Sequence, residues 1–138
     1  MLLIGSFKSR FAHGLLVISA LGSKDTHDDW DAGSQNVHAG EDSIFVAVLD
    51  AIGFVTVTCV EEDSSDEVDG EEISVSGELS EVFTGTLTLA SPVLEFSDPN
   101  QTIRMAAPMP ANKVDVAIYT NDEWEATEVL VRVRAVEL

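Results

Sequence analysis

Apolar and polar side chains alternate along most of this sequence, and this spacing of two restricts the possible folds more than any other feature. Within GFVTVTCV, for example, Val55, Val57 and Cys59 alternate with two threonines. Successive side chains of a β-strand point to opposite faces of a sheet, so the pattern predicts strands with one face in a core. The sequence therefore predicts an all-β protein.

Runs of this kind recur at close spacing and are separated by turn-forming residues, including four prolines. Short strands broken in this way are typical of an antiparallel sandwich. We therefore predict one domain over residues 1–138, an antiparallel β-sandwich of about eight to nine strands with little helix. The run 43–50 is apolar on both faces, which indicates a strand covered on both sides. The runs lie at 43–50, 53–60, 72–76, 82–90, 93–96, 102–106, 114–120 and 128–136.

The large acidic excess restricts the partners that the protein can bind. The chain has 25 Asp and Glu against 7 Lys and Arg, which gives a formal net charge of -18. Such a charge repels phosphates and anionic lipids, so we expect neither direct nucleic-acid binding nor membrane binding. A basic protein partner is favoured. The alternative is that the charge only keeps the protein soluble in a salty cytoplasm.

Few residues in the sequence point to catalysis. Cys59, the single cysteine, lies in an apolar run where a thiol packs as a small hydrophobe, and a free thiol fits a reducing, cytoplasmic location. There is no nucleophile-elbow, phosphate-loop or dinucleotide-binding motif. His13, His27 and His38 lack the spacing of zinc ligands. We therefore predict no catalytic residue, no metal and no cofactor.

Residues 24–42 break the strand rhythm and contain the densest group of chemically active side chains. Asp28, Asp29, Trp30 and Asp31 follow one another there. An aromatic residue ringed by charge is a common composition for a binding patch, so we predict that these four residues contact a partner. Two alternatives stay open. The segment can be a solvated loop with a packed tryptophan, or a calcium loop, although it lacks the EF-hand pattern.

Residues 61–72, EEDSSDEVDGEE, form the second irregular segment, and eight of these twelve residues are acidic. This density raises the local negative potential, which favours an electrostatic docking surface for a basic protein. A bare solvated loop and a cation store are the alternatives. The predicted docking residues are Glu61, Glu62, Asp63, Asp66, Glu67 and Asp69.

Three segments, taken in order, resemble the competence protein J (ComJ) family. They are SRFAHGLLVIS, DDWDAGSQNVHAGEDSIFVAV and VDVAIYTNDEWEATEVLVRVRAVEL. The resemblance implies a non-enzymatic protein that inhibits a nuclease, and it carries over Asp29 and Trp30 as a matching pair without assigning them a contact. We therefore expect an acidic binding protein that inhibits a nuclease or binds another basic protein. The alternatives are a small carbohydrate-binding module or hydrolase that uses Asp28, Asp29 and Trp30, and an acidic domain with neither role.

Overall fold

The computed structural model describes residues 2–25, 27, 29–31, 34–62 and 78–136. These residues form ten strands and a short 3₁₀ turn, Ala12–Gly14, and no helix among them is long and apolar enough to cross a membrane. The predicted all-β sandwich is confirmed. The strands are β1 (Leu2–Ser9), β2 (Leu15–Ala20), β3 (Val37–Ala39), β4 (Ser43–Ala47), β5 (Val55–Glu61), β6 (Ser80–Thr88), β7 (Val93–Ser97), β8 (Arg104–Pro108), β9 (Lys113–Thr120) and β10 (Glu128–Ala135).

The strands form two five-stranded sheets. The first sheet has the order β1-β5-β10-β9-β6 and the second has the order β3-β4-β2-β7-β8. All neighbours within the sheets run antiparallel except β5 and β10, which pair in parallel. A parallel pair requires a long crossover connection, and the chain between these two strands, which includes β6 to β9, provides it.

The core lies between the two sheets and is built from the inward members of the alternating pattern. On β5, Val55, Val57 and Cys59 face inward and are fully buried, as their spacing predicts. Burial raises the pKa of the Cys59 thiol to about 12, so the thiol stays protonated and packs as a hydrophobe. Facing side chains on the second sheet include Leu16, Ile18, Ile44, Val46, Leu94 and Phe96.

The outer face of the second sheet differs from the prediction at one point. Residues 24–42 were expected to contain no strand, and that expectation is wrong at Val37–Ala39, which forms β3 and pairs with β4. Three residues are too few to show a period of two, so the pattern carried no signal for this strand. Because β3 occupies the sheet edge, β4 becomes an internal strand with its outward side chains available to support the preceding loop.

Candidate binding groove

Aromatic contacts hold His27 and Trp30 against the outer face of the second sheet. The His27 ring stacks on Phe45 of β4, with 3.8 Å between ring centroids and 12° between ring planes. Trp30 meets the same Phe45 ring edge-on at 5.1 Å. The Trp30 indole N–H also donates to the Gln35 carbonyl oxygen at 3.3 Å. These contacts cover Phe45, which explains why β4 is apolar on both faces.

A chain of hydrogen bonds passes through two buried histidines. Nδ1 of His27 lies 2.7 Å from Nδ1 of His38, and Nε2 of His27 lies 2.6 Å from Oγ of Ser43. The Ser43 hydroxyl donates to Asp25 at 2.8 Å, so Nε2 of His27 donates to the Ser43 oxygen. At the other end, Nε2 of His38 lies 3.2 Å from Asp29. When His27 is neutral, its Nδ1 accepts the hydrogen bond from Nδ1 of His38.

The pKa of His27 agrees with that arrangement, because it lies below its ordinary value. Burial is the main cause, since it disfavours the charged ring, and the neighbouring His38 adds to the effect. Attraction from Asp25 and Asp29 acts in the opposite direction but does not outweigh it. The histidine pair therefore links the loop to the sheet through neutral His27.

Asp25 ties the loop to the start of β4. Its Oδ2 accepts hydrogen bonds from the Ser43 hydroxyl and from the Asp42 backbone N–H at 3.0 Å. Burial alone would raise the pKa of Asp25, but these hydrogen bonds outweigh it and hold the pKa below the ordinary range. The carboxylate packs directly over Gly40, where a Cβ atom would overlap it.

This close approach predicts the effect of a methyl group at residue 40. Gly40→Ala should displace the Asp25 carboxylate from its donors and lower the free energy of unfolding by about 1–3 kcal/mol. Urea denaturation followed by circular dichroism measures the change. In an Asp25→Ala background the same substitution should cost much less, because the overlapping carboxylate is absent. An equal cost in both backgrounds would contradict the assigned contact.

Beside the loop, the outer face of the second sheet contains a groove with a volume of about 470 Å³. We call it the Trp30 groove. Its apolar floor is formed by Leu15, Val17 and Phe45, and Trp30 contributes to its wall. The polar residues of its lining are His13, Ser19, Ser23, Asp25, Ser43, Ser97, Asp98 and Gln101.

Three strained residues border the Trp30 groove. His13, His27 and Gln101 have φ angles of 62°, 53° and 55°, and they are the non-glycine residues with positive φ in the described ranges. His13 and Gln101 line the groove, while His27 packs on its floor residue Phe45. Left-handed backbone costs a non-glycine residue about 1–2 kcal/mol, and such strain concentrates at binding and catalytic sites. This coincidence supports the groove as the candidate site.

The groove is also negatively charged. Asp98 is only 1% exposed and accepts hydrogen bonds from the Thr102 hydroxyl and, at 2.7 Å, from the Thr102 backbone N–H. Burial raises the pKa of Asp98, but these hydrogen bonds outweigh it and leave the pKa below the ordinary value. Asp25 has a lowered pKa for the same reason. Both carboxylates of the lining are therefore ionised at neutral pH.

The structure separates the predicted site residues into two groups. Asp29 and Asp31 are exposed on the loop, with 87% of the Asp29 side chain accessible, while Trp30 is half-buried against Phe45. Asp28 lies outside the described residues.

Of the second group, Glu61 and Glu62 are described, and they lie at the end of β5 in the first sheet. Glu62 forms a 2.8 Å ion pair with Arg132 of β10, and Glu61 ends β5. The remaining predicted docking residues, Asp63, Asp66, Glu67 and Asp69, lie outside the described residues. Of the described residues, Trp30 therefore packs on the second sheet, whereas Glu61 belongs to the first.

Sequence reasoning missed the pairing of His27 with His38. The two residues are 11 positions apart in the chain, so no short-range spacing signals their contact. Within the described ranges, no group of three or more His, Cys, Asp or Glu is arranged to hold a metal ion.

Comparison with solved structures identifies the architecture. A crystal structure of ComJ from Bacillus subtilis, described as an inhibitor of the DNA degrading activity of NucA, aligns over 97% of each chain with a TM-score of 0.70 and 11% sequence identity. The chain has a ComJ-like fold. The product of crocagin biosynthetic gene J aligns over 96% of each chain, with a TM-score of 0.57 and 10% identity. No protein-family profile and no curated protein sequence matches the chain.

The extent of these alignments defines what the ComJ-like fold includes. Because nearly all of both chains is covered, the likeness extends to both sheets and is not limited to one hairpin. At 11% identity, however, few side chains are shared, so the likeness concerns the fold alone.

Proposed function

We propose that this protein binds a basic protein partner and inhibits a DNA-degrading nuclease. The observation that carries the proposal is the ComJ-like fold over 97% of both chains, because ComJ is described as an inhibitor of the nuclease activity of NucA. The net charge of -18 supports the same role from this chain's own sequence.

The physical basis is competition for a positive surface. A nuclease that holds DNA presents basic side chains to the phosphates, and a strongly acidic protein is attracted to the same side chains. Asp29 and Asp31 are exposed and flank Trp30, whose ring packs on Phe45, so they can approach a partner beside an anchored side chain. The carboxylates of residues 61–69 supply the second negative surface of the proposal.

A charge-neutralised variant tests this proposal. We expect the wild-type protein to slow DNA cleavage by a basic nuclease from the same organism in a stoichiometric titration, and to lose this effect as salt rises. Exchanging the six acidic residues of the second surface for Gln or Asn should weaken inhibition at low salt by at least about tenfold. The exchanged residues are Glu61, Glu62, Asp63, Asp66, Glu67 and Asp69.

A matched control separates a local docking surface from general charge. It carries Gln or Asn at six other acidic residues, Glu41, Glu78, Glu81, Asp115, Glu123 and Glu125. This control has the same net charge and should inhibit better than the first variant. Equal inhibition by the two variants would remove residues 61–69 from the docking surface. Failure of the wild-type protein to inhibit any basic nuclease of the organism would remove the proposed function.

The Trp30 groove favours a second candidate, a carbohydrate-binding module, because its wall contains a tryptophan and its lining contains several hydroxyl groups. Hydrolysis by Asp25 and Asp98 is disfavoured, since a general acid needs a raised pKa and both of these values are lowered. Saturation-transfer NMR with a panel of oligosaccharides tests the binding role, and absence of transfer would eliminate it.

A further inference from the structure

We infer that the Trp30 groove receives an arginine side chain from the basic partner. The inference rests on the proposed function and identifies a specific contact within it. Arginine combines an apolar stem with a planar cation that carries five N–H donors. The stem, the planar cation and the N–H donors each have a counterpart in the groove.

The floor of the groove matches the stem of an arginine. Leu15 and Val17 of β2 and Phe45 of β4 provide an apolar surface, on which methylene groups pack while the charged end reaches beyond them. In the strand register, Val17 lies between Phe45 on one side and Ser97 on the other. The apolar floor thus leads from the Trp30 side of the groove to the hydroxyl group of Ser97.

The wall of the groove matches the planar cation. Trp30 is half-buried, and its indole is held by the contact with Phe45 and by the hydrogen bond to Gln35. A guanidinium group is attracted to the face of a tryptophan, and an indole that is already fixed loses little entropy on binding.

The polar lining offers acceptors for the N–H donors. Within the described residues, the Ser43 hydroxyl and the Asp42 backbone N–H both donate to Oδ2 of Asp25, and Oδ1 accepts no hydrogen bond. The hydroxyls of Ser19 and Ser97 likewise have no hydrogen-bond partner in the described part of the chain, although Ser97 is only 5% exposed. Asp98 contributes charge, since its own oxygens are occupied by Thr102.

Among the described residues, neither a lysine nor an arginine lines the Trp30 groove. The nearest cation in the strand register is Arg104 of β8, which lies opposite Ser97 of β7 and forms a 2.5 Å ion pair with Glu95. Within the described part of the chain, the two ionised carboxylates of the lining therefore have no lysine or arginine beside them in the groove, which is the charge complement of a basic protein.

The size of the groove indicates how the arginine is presented. A volume of about 470 Å³ lies within the range of small-ligand sites, roughly 300–1,000 Å³. It exceeds what one side chain fills, so we expect a partner loop that inserts an arginine together with part of its backbone. Arginine in such a pocket is a common binding hot spot.

Peptide titration of the full-length protein tests the inference. The probe is a five-residue peptide, Gly-Gly-Arg-Gly-Gly with blocked ends, and the readout is the indole N–H signals of the two tryptophans in NMR spectra. We expect the Trp30 signal to shift and the signal of Trp124, which lies outside the groove, to stay in place. The same peptide with citrulline, which keeps the shape but lacks the charge, should bind at least about tenfold more weakly. Equal shifts with both peptides would overturn the inference.

A free guanidinium compound is the other source of the same chemistry. Blocked single arginine, N-acetylarginine amide, should bind more weakly than the peptide, because it lacks the flanking backbone that fills the groove. Tighter binding of the free compound would indicate a small-molecule ligand and would count against a partner side chain.

Single substitutions test whether the arginine peptide binds in the Trp30 groove. They also distinguish a failure of this inference from a failure of the proposed function. Trp30→Leu should reduce affinity for the arginine peptide at least about tenfold. Ser97→Leu should do the same, because the larger side chain occupies space at the end of the apolar floor. The control Trp124→Leu should leave the affinity unchanged. Ser97 makes no side-chain hydrogen bond within the described ranges, so this change leaves the Asp25 network intact. If Ser97→Leu inhibits the nuclease as well as the wild type, the inference fails and the proposed function stands. If the peptide binds but no nuclease is inhibited, the proposed function fails.

Discussion

Replacing Phe96 by alanine should lower the free energy of unfolding by about 3–5 kcal/mol. Phe96 lies on the inner face of β7, is fully buried, and packs in the core between the sheets. Alanine removes the apolar contacts of the ring and leaves a cavity, because a densely packed core relaxes only in part. Guanidinium denaturation followed by circular dichroism measures the loss.

Phe54 supplies the control for this experiment, since its side chain is 52% exposed. It contacts the cations of Lys8 and Arg10, with 5.7 and 4.8 Å to the ring centroid, and such exposed contacts contribute about 0.5–1 kcal/mol. Phe54→Ala should therefore cost much less than Phe96→Ala. A similar loss in the two variants would mean that the space between the sheets is not the main core.

The sandwich was predictable because its signal is local. Val55, Val57 and Cys59 face the core at the spacing that any half-buried strand requires, and this pattern does not depend on which strands become neighbours. The parallel pairing of β5 with β10 was not predictable in the same way. That pairing depends on contacts between residues that are far apart in the chain, and the period of two is the same for parallel and antiparallel neighbours.

The groove was only partly predictable. The apolar outer side of β4 correctly indicated that Phe45 is covered, but the pattern did not say by what. The covering residues, His27 and Trp30, lie in a segment without periodicity, where side chains are placed by individual hydrogen bonds and ring contacts. The charge of residues 28–31 led to the prediction of a binding surface, which stays a prediction. The apolar floor and the hydroxyls of Ser19, Ser43 and Ser97 come from three different strands and meet only in the folded sheet.

Acidification should destabilise the protein through His27 before most carboxylates titrate. The pKa of His27 lies below the ordinary value of about 6.5, so the unfolded chain binds this proton more strongly than the folded protein does. Neutral His27 makes its full contribution to stability above pH 6.5, and this contribution is lost as the pH falls from 6.5 through the lowered pKa of His27. Asp25 and Asp98 have lowered pKa values as well, but they lose their contribution only in the acidic range below about pH 4.

His27→Ala should remove this dependence and, at pH 8, lower the free energy of unfolding by about 2–4 kcal/mol. The substitution removes the ring that stacks on Phe45 and leaves His38 and Ser43 without their shared partner. Urea denaturation at pH 8, 7, 6 and 5 measures the loss of unfolding free energy in the variant and the slope of that free energy against pH. The control is His13→Asn, because His13 is exposed and asparagine tolerates its left-handed backbone. If the His27 variant keeps the wild-type slope below pH 6.5, another group titrates there and the neutral His27 link between loop and sheet is wrong.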